Sequence, residues 1–267
     1  LSDSSRSGNL TAMPAPVADP ARVADTVQLP HGPTPVVWRR SARARRVSLR
    51  IDPRASAVIV TLPARSARSA GLRLLRENAG WVSTKLAALP PALAFADGAC
   101  VPIGGAPHRI RHVAGARGGA WLESGEILVA GDPVFLPRRV RDLLQAEARR
   151  QLGALVRDVA AATGLKPTRL AIRDTSSRWG SCTADGTVMF SWRLVLAPRA
   201  VQHYVVVHEL AHLRHMNHGP QFWALVASLA PEMRSCMAWL KAHGAGLMRA
   251  GSPPGQPAAA EAFAALE

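Results

Sequence analysis

The feature that most constrains this chain is an apolar helical stretch with two histidines one turn apart. Val205, Val206, Val207, His208, Glu209, Leu210, Ala211 and His212 place HExxH inside an otherwise hydrophobic run. Residues four apart stand one above the other on a helix face, so His208 and His212 lie about 6 Å apart at the backbone. Two imidazoles placed this way can share one Zn²⁺. Glu209 follows His208 by a rotation of about 100°. It can therefore reach a metal-bound water without occupying a coordination position. The bland alternative is a helix with two packed or solvated histidines, and the apolar setting argues against it. A core helix is also rigid, as a metal site requires.

Zinc needs a third protein ligand if its fourth position is to hold water. The candidates are His215, His218 and Glu232. His218 comes ten residues after His208, the separation found in HExxHxxGxxH, where a turn swings the third histidine back to the metal. Here Asn217 and Gly219 would form the turn, because position 215 is His rather than Gly. His215 would sit on the helix itself, and three histidines on one straight helix make poor tetrahedral geometry. Glu232 lies on a later helix.

Periodicity and punctuation give the fold class as α+β. Residues 1–35 are rich in Ser, Pro, Ala and Asp and read as a disordered tail. Short β-like runs follow at 36–40, 46–51 and 57–62, then a helical stretch over 66–89, then strands over 99–130 with turns at Gly104-Gly105 and Gly118-Gly119. These make residues 36–135 a β-rich N-terminal unit. A long helix is expected over 137–163, opened by Pro137 and closed by Gly164. Short strands at 169–173, 180–182 and 188–192 come next. Helices follow from Pro198 to about Met216, at 220–229 and at 232–243. Residues 136–250 thus form a second domain, and 251–267 a second tail. No internal repeat is evident.

Several further motifs stand in order around the histidines. Arg178-Trp179-Gly180-Ser181-Cys182 and Trp192-Arg193-Leu194 precede them, and Asn217-His218-Gly219-Pro220-Gln221-Phe222-Trp223 follows. With Arg39-Arg40-Ser41 near the start, this set resembles the YgjP-like metallopeptidase family, related to the SprT-like and WLM proteases. The resemblance spans roughly residues 36–245 and is strongest over 173–225. It implies a zincin-like core of long helix, small sheet, HExxH helix and further helices. It implies one zinc per chain held by His208, His212 and His218, with Glu209 as catalytic base, and hydrolysis, nominally of peptide bonds. It names no substrate. A metal-dependent hydrolase of nucleoside phosphates on the same site is the alternative within enzymes. A basic nucleic-acid-associated module with structural zinc is the alternative outside them.

Arg178, Trp179, Gly180 and Tyr204 are candidate substrate-binding residues. A strand beside the active helix can hold extended peptide by backbone pairing, and Gly180 would let that backbone approach. Arg178 could bind a carboxylate or phosphate. Tyr204, four residues before His208, could stabilise an oxyanion. The structural alternatives are a core Trp179, a bulge at Gly180, an internal partner for Arg178 and a packed Tyr204. Cys182 could be a fourth ligand or a buried inert thiol.

The charge balance is strongly basic, with 33 Lys plus Arg against 18 Asp plus Glu, and only three of the basic residues are lysines. Such arginine bias can reflect genomic composition as well as function. Seven arginines fall in the 16 residues from Arg39 to Arg54. They could follow a phosphate backbone or form a solvated strand face. The resembled family carries a similar run without established nucleic-acid binding, so peptide or protein is the expected partner and nucleic acid is not favoured. Three dispersed cysteines, no apolar run near 18 residues and no N-terminal apolar segment lead to the expectation of a cytoplasmic protein without membrane contact. The chain opens on Leu1, and Met13 is a candidate start.

Overall fold

The computed structural model describes residues 22–252. They divide into two compact units. One comprises the described residues through Arg50 together with Val58–Ala79; the other comprises Ile51–Ala57 and the chain from Gly80.

The first unit is built on a four-stranded sheet of order β1-β2-β4-β3, with β1 at Arg22–Leu29, β2 at Gly32–Ser41, β3 at Ser48–Asp52 and β4 at Ala57–Pro63. β2 alternates as a half-buried strand must, with Thr34, Val36 and Trp38 inward. It runs antiparallel to β1 and parallel to β4. Helix α1, Arg68–Glu77, packs through Leu75 and Gly71. A Cβ at Gly71 would come within 2.7 Å of the Trp38 ring, so glycine lets helix and sheet approach. The expected tail is corrected here. Residues 22–35 form β1 and the start of β2, because Val27 and Leu29 become buried. Their sparse alternation is masked by polar neighbours. Residues 1–21 lie outside the described chain.

The single helix expected over 66–89 is broken at Asn78, whose side-chain amide and backbone N–H both donate to the Leu74 carbonyl. The second half is α2, Ala79–Ala87.

The second unit holds another four-stranded sheet, formed by β5 Cys100–Ile103, β6 Ala106–Val113, β7 Ala120–Glu123 and β8 Glu126–Ala130. Its order is β5-β6-β8-β7, with the first pair antiparallel and the central pair parallel. The first sheet has the same plan, so the chain repeats a topology that its residues do not advertise. The expected boundary at 135/136 therefore gives way to one near residue 79. Val101, Ile110, Ile127 and Val129 of this sheet share one buried cluster with the helices that follow.

Helix α3, Leu136–Thr163, ends on Gly164 in the left-handed conformation, φ +71°. A three-stranded sheet follows, with β9 at Arg169–Arg173, β10 at Gly180–Cys182 and β11 at Thr187–Ser191, in the order β10-β11-β9. A 3-10 turn at Trp192–Leu196 leads to α4, Arg199–Ala211, then α5, Pro220–Leu229, and α6, Met233–Met248. The architecture is α+β. Of the expected C-terminal tail, Gly251 and Ser252 are held against the fold, with Gly251 N–H donating to Leu93 O and Arg141 to Gly251 O. The rest lies outside the described residues. Among the described residues no helix is long and apolar enough to cross a membrane.

Candidate metal centre

Helix α4 is buried along most of its length, with Val201, Val205, Val206, Val207 and Leu210 in the core. That burial fixes the face carrying His208 and His212. The helix stops at Ala211, short of the expected Met216. Leu213 N–H donates to Leu210 O and Arg214 N–H to Ala211 O, tightening the last turn. The chain then reverses through residues 216–219, and Pro220 starts α5 at a position where its missing N–H costs nothing.

This early stop carries His218 back to the first two histidines. The ring centroids lie 5.2 Å apart for His208–His212, 5.1 Å for His208–His218 and 4.7 Å for His212–His218. One donor atom from each falls within 4.8 Å of the others. The Nε2 atoms of His208 and His218 are 3.2 Å apart. Two nitrogens bound tetrahedrally at about 2.0–2.1 Å stand about 3.3 Å apart, so this pair already has the required spacing. Phe222, fully buried, contacts all three rings at 4.6 to 5.0 Å. Trp223 lies against His208 and His218.

The tautomer of His212 follows from its partner. Nδ1 lies 3.1 Å from the His215 carbonyl oxygen. A carbonyl only accepts, so Nδ1 carries the hydrogen and Nε2 keeps its lone pair. His215 thus contributes through its backbone, which side-chain reasoning could not find. Nδ1 of His208 is buried and has no partner among the described residues. Burial, followed by repulsion from His212 and His218, drives the His208 pKa down to about 4. Burial also lowers that of His212. Both rings are therefore neutral near pH 7, so protons do not compete with a cation for them. Three imidazoles with converging donors, two of them held neutral by burial, fit a divalent metal.

Glu209 is 8% exposed, and burial raises its pKa to about 7, against the pull of the Arg178 guanidinium. A cation at the histidines would draw it back down. Its neighbour is Gly180 on β10. A Cβ there would lie 2.5 Å from Glu209 Cγ and 2.6 Å from Oε1, so absence of a side chain makes room for the carboxylate. Among the described residues β10 pairs with β11 and stands at the edge of its sheet.

The remaining candidates fall into place separately. Arg178 is exposed and close enough to Glu209 to act on its charge. Trp179 packs toward α6, where a Cβ on Gly244 would meet its ring at 3.3 Å. Tyr204 is buried, 5.9 Å from the His208 ring, and burial raises its hydroxyl pKa. Cys182 is not in the donor cluster, and burial raises its thiol pKa, so it stays protonated near pH 7.

The loop before β10 is anchored by Trp192 and Arg193 of the motif named above, through Asp174 and Thr175, whose parts no local pattern records. Arg193, fully buried, donates to Asp174 and to the Ala250 carbonyl. Trp192 Nε1 and Arg54 donate to the same Asp174 oxygen, each at 3.1 Å. Thr175 Oγ1 donates to Arg178 O at 2.8 Å and closes the loop.

Three clustered imidazoles beside a buried carboxylate define a candidate hydrolytic metal centre. The description of the YgjP-like metallopeptidase domain matches residues 45–243, and the chain belongs to that family. It is also similar to the metallopeptidase zymogen of Pyrococcus abyssi abylysin, with 21% identity over 34% of this chain and 95% of that one, at a TM-score of 0.30. No curated protein matches.

Proposed function

We propose that this protein is a zinc-dependent peptidase of the zincin type, with His208, His212 and His218 as ligands and Glu209 as general base. The observation that carries this reading is the convergence of three imidazoles next to a buried carboxylate. Only these three His, Cys, Asp or Glu donors gather there among the described residues, which leaves the fourth tetrahedral position without a protein ligand. A structural site normally fills all four.

When bound, the cation supplies Lewis acidity, acidifying a water and polarising the scissile carbonyl. Glu209 accepts the proton from that water and delivers it to the departing amine. Its low exposure keeps bulk water from competing for the proton. Gly180 holds the carboxylate's space open. The edge of β10 accepts an extended peptide by backbone pairing beside Glu209. Arg178 lies at this edge as a cation for a substrate carboxylate.

The test is hydrolysis of a denatured protein and a peptide library by purified protein, before and after chelation and with zinc restored. Loss and recovery of cleavage with zinc supports the proposal. Chelator-resistant cleavage, or hydrolysis confined to nucleoside triphosphates, overturns it.

A further inference from the structure

The arginines of the first unit gather at one end of its sheet. Because β2 and β4 are parallel, with Ser41 opposite Pro63, the loops that leave them emerge side by side. The first loop, residues 42–47, carries Arg43, Arg45 and Arg46; the second, residues 64–67, carries Arg65. Arg39 and Arg40 close β2 at this same end. All six are exposed. Arg40 ties the end of β2 to the second loop by donating to Ala64 O at 2.9 Å and Ser66 O at 3.0 Å. The N-terminus of α1 opens here too, with no acidic residue in its first turn.

Little negative charge offsets this end. The described residues of the unit hold eleven arginines and two acidic residues, Asp25 and Glu77. Asp25 pairs with Arg68, and Glu77 lies 3.9 Å from Arg73. Arg39, Arg43, Arg45, Arg46 and Arg65 meet no carboxylate among the described residues.

The second sheet is an internal control for arginine bias. It has the same order, and its corresponding loops are residues 114–119 after β6 and 131–135 after β8. They contain one arginine, Arg117, and one aspartate, Asp132. Genomic composition acts equally on both copies, so it does not explain four loop arginines in one and a single one in the other.

We infer that this end of the first unit binds the phosphate backbone of double-stranded nucleic acid. Guanidinium forks suit phosphate oxygens, and the sheet end presents six of them, four on two adjoining loops and two at the end of β2. No large hydrophobic side chain of this unit is exposed among the described residues. Bases of a single strand therefore find no stacking platform, and a bilayer finds no apolar wedge. Binding is electrostatic and indifferent to sequence.

The test uses the full chain and a fluorescent 20-base-pair duplex of mixed sequence, read by anisotropy. With six phosphate contacts, affinity falls about 10³-fold between about 50 and 200 mM salt. The triple variant Arg43→Ala, Arg45→Ala, Arg46→Ala should fall only about 40-fold across that range, its salt slope smaller by about 2.7. Arg117→Ala on the corresponding loop should match the parent. Thermal stability of the triple variant should be unchanged, since these side chains are exposed. No duplex binding at about 50 mM salt would overturn the inference. So would a triple variant that binds like the parent, or tighter binding to phosphatidylglycerol vesicles or single strands than to duplex.

Discussion

Replacing Gly180 with alanine puts one methyl group where the structure has no room for it. The new carbon would stand 2.5 Å from Glu209 Cγ, 2.8 Å from Cδ and 2.6 Å from Oε1, against about 3.5–4.0 Å for relaxed carbon contacts. Something must yield by about 1 Å. Glu209 is buried, so its carboxylate has no open solvent to swing into. If the carboxylate moves, a 1 Å displacement costs about 10² in rate, within the 10²- to 10⁴-fold loss that follows removal of a general base. If β10 moves instead, the overpacking costs about 1–3 kcal/mol of stability. The assay is kcat and KM on the substrate found by the peptide screen, with zinc content and melting temperature measured alongside. We expect kcat to drop about 100-fold with zinc retained, because no imidazole is touched. Gly219→Ala is the matched control. Its Cβ meets nothing within 4 Å and its φ is −80°, so it should keep its activity. A Gly180→Ala protein with parental kcat and parental melting temperature would refute the idea that this glycine makes room for the base.

Glu209→Gln should lose about 10²- to 10⁴-fold in rate while keeping zinc and thermal stability, because Gln fills the same space but accepts no proton; activity and elemental analysis of one preparation decide it. His218→Ala should lower zinc content far more than His215→Ala, whose backbone carbonyl remains, as measured by metal titration. Phe222→Ala should cost about 3–5 kcal/mol in denaturant unfolding, since the ring is fully buried among three imidazoles. Burial alone would raise the Asp174 pKa, but bonding to Arg193 and the charge of Arg54 outweigh it and hold the carboxyl below its ordinary value. The stability it contributes is therefore present above about pH 3.9 and lost as pH falls through the lower native value. Asp174→Asn should be about 1 kcal/mol less stable at pH 7, because the carboxylate is 38% exposed and solvent screens its pairs, a difference that shrinks in unfolding titrations below about pH 4.

The long helix was legible because Pro137 and Gly164 mark its two ends, and the marker at Gly164 is a conformational requirement. The approach of His218 was legible as a spacing, whereas the end of α4 was not. Residues 212–216 contain no glycine or proline, and the helix stops through main-chain bonds within residues 210–215. β1 was hidden because a strand with few apolar side chains looks like linker until its partner is known. The contact between Gly180 and Glu209 joins residues 29 apart, and no local pattern records it. Arg65 likewise belongs with Arg43, Arg45 and Arg46 only after parallel pairing sets two loops side by side. The shared plan of the two four-stranded sheets is a matter of chain path, which very different residues can follow.

The part played by His215 illustrates where information about such a centre can reside. Its N–H is donated to Ala211 O, and its carbonyl oxygen receives His212 Nδ1. Both contributions come from atoms that nearly every amino acid possesses. A genetic scan that swaps side chains would therefore read position 215 as silent, with proline as the exception because it lacks the N–H. The gene specifies the course of the backbone here, and the twenty-letter alphabet is almost blind to it. A map of mutational tolerance would place a neutral site directly beside a candidate metal ligand, and the neutrality would conceal a structural duty performed by the main chain.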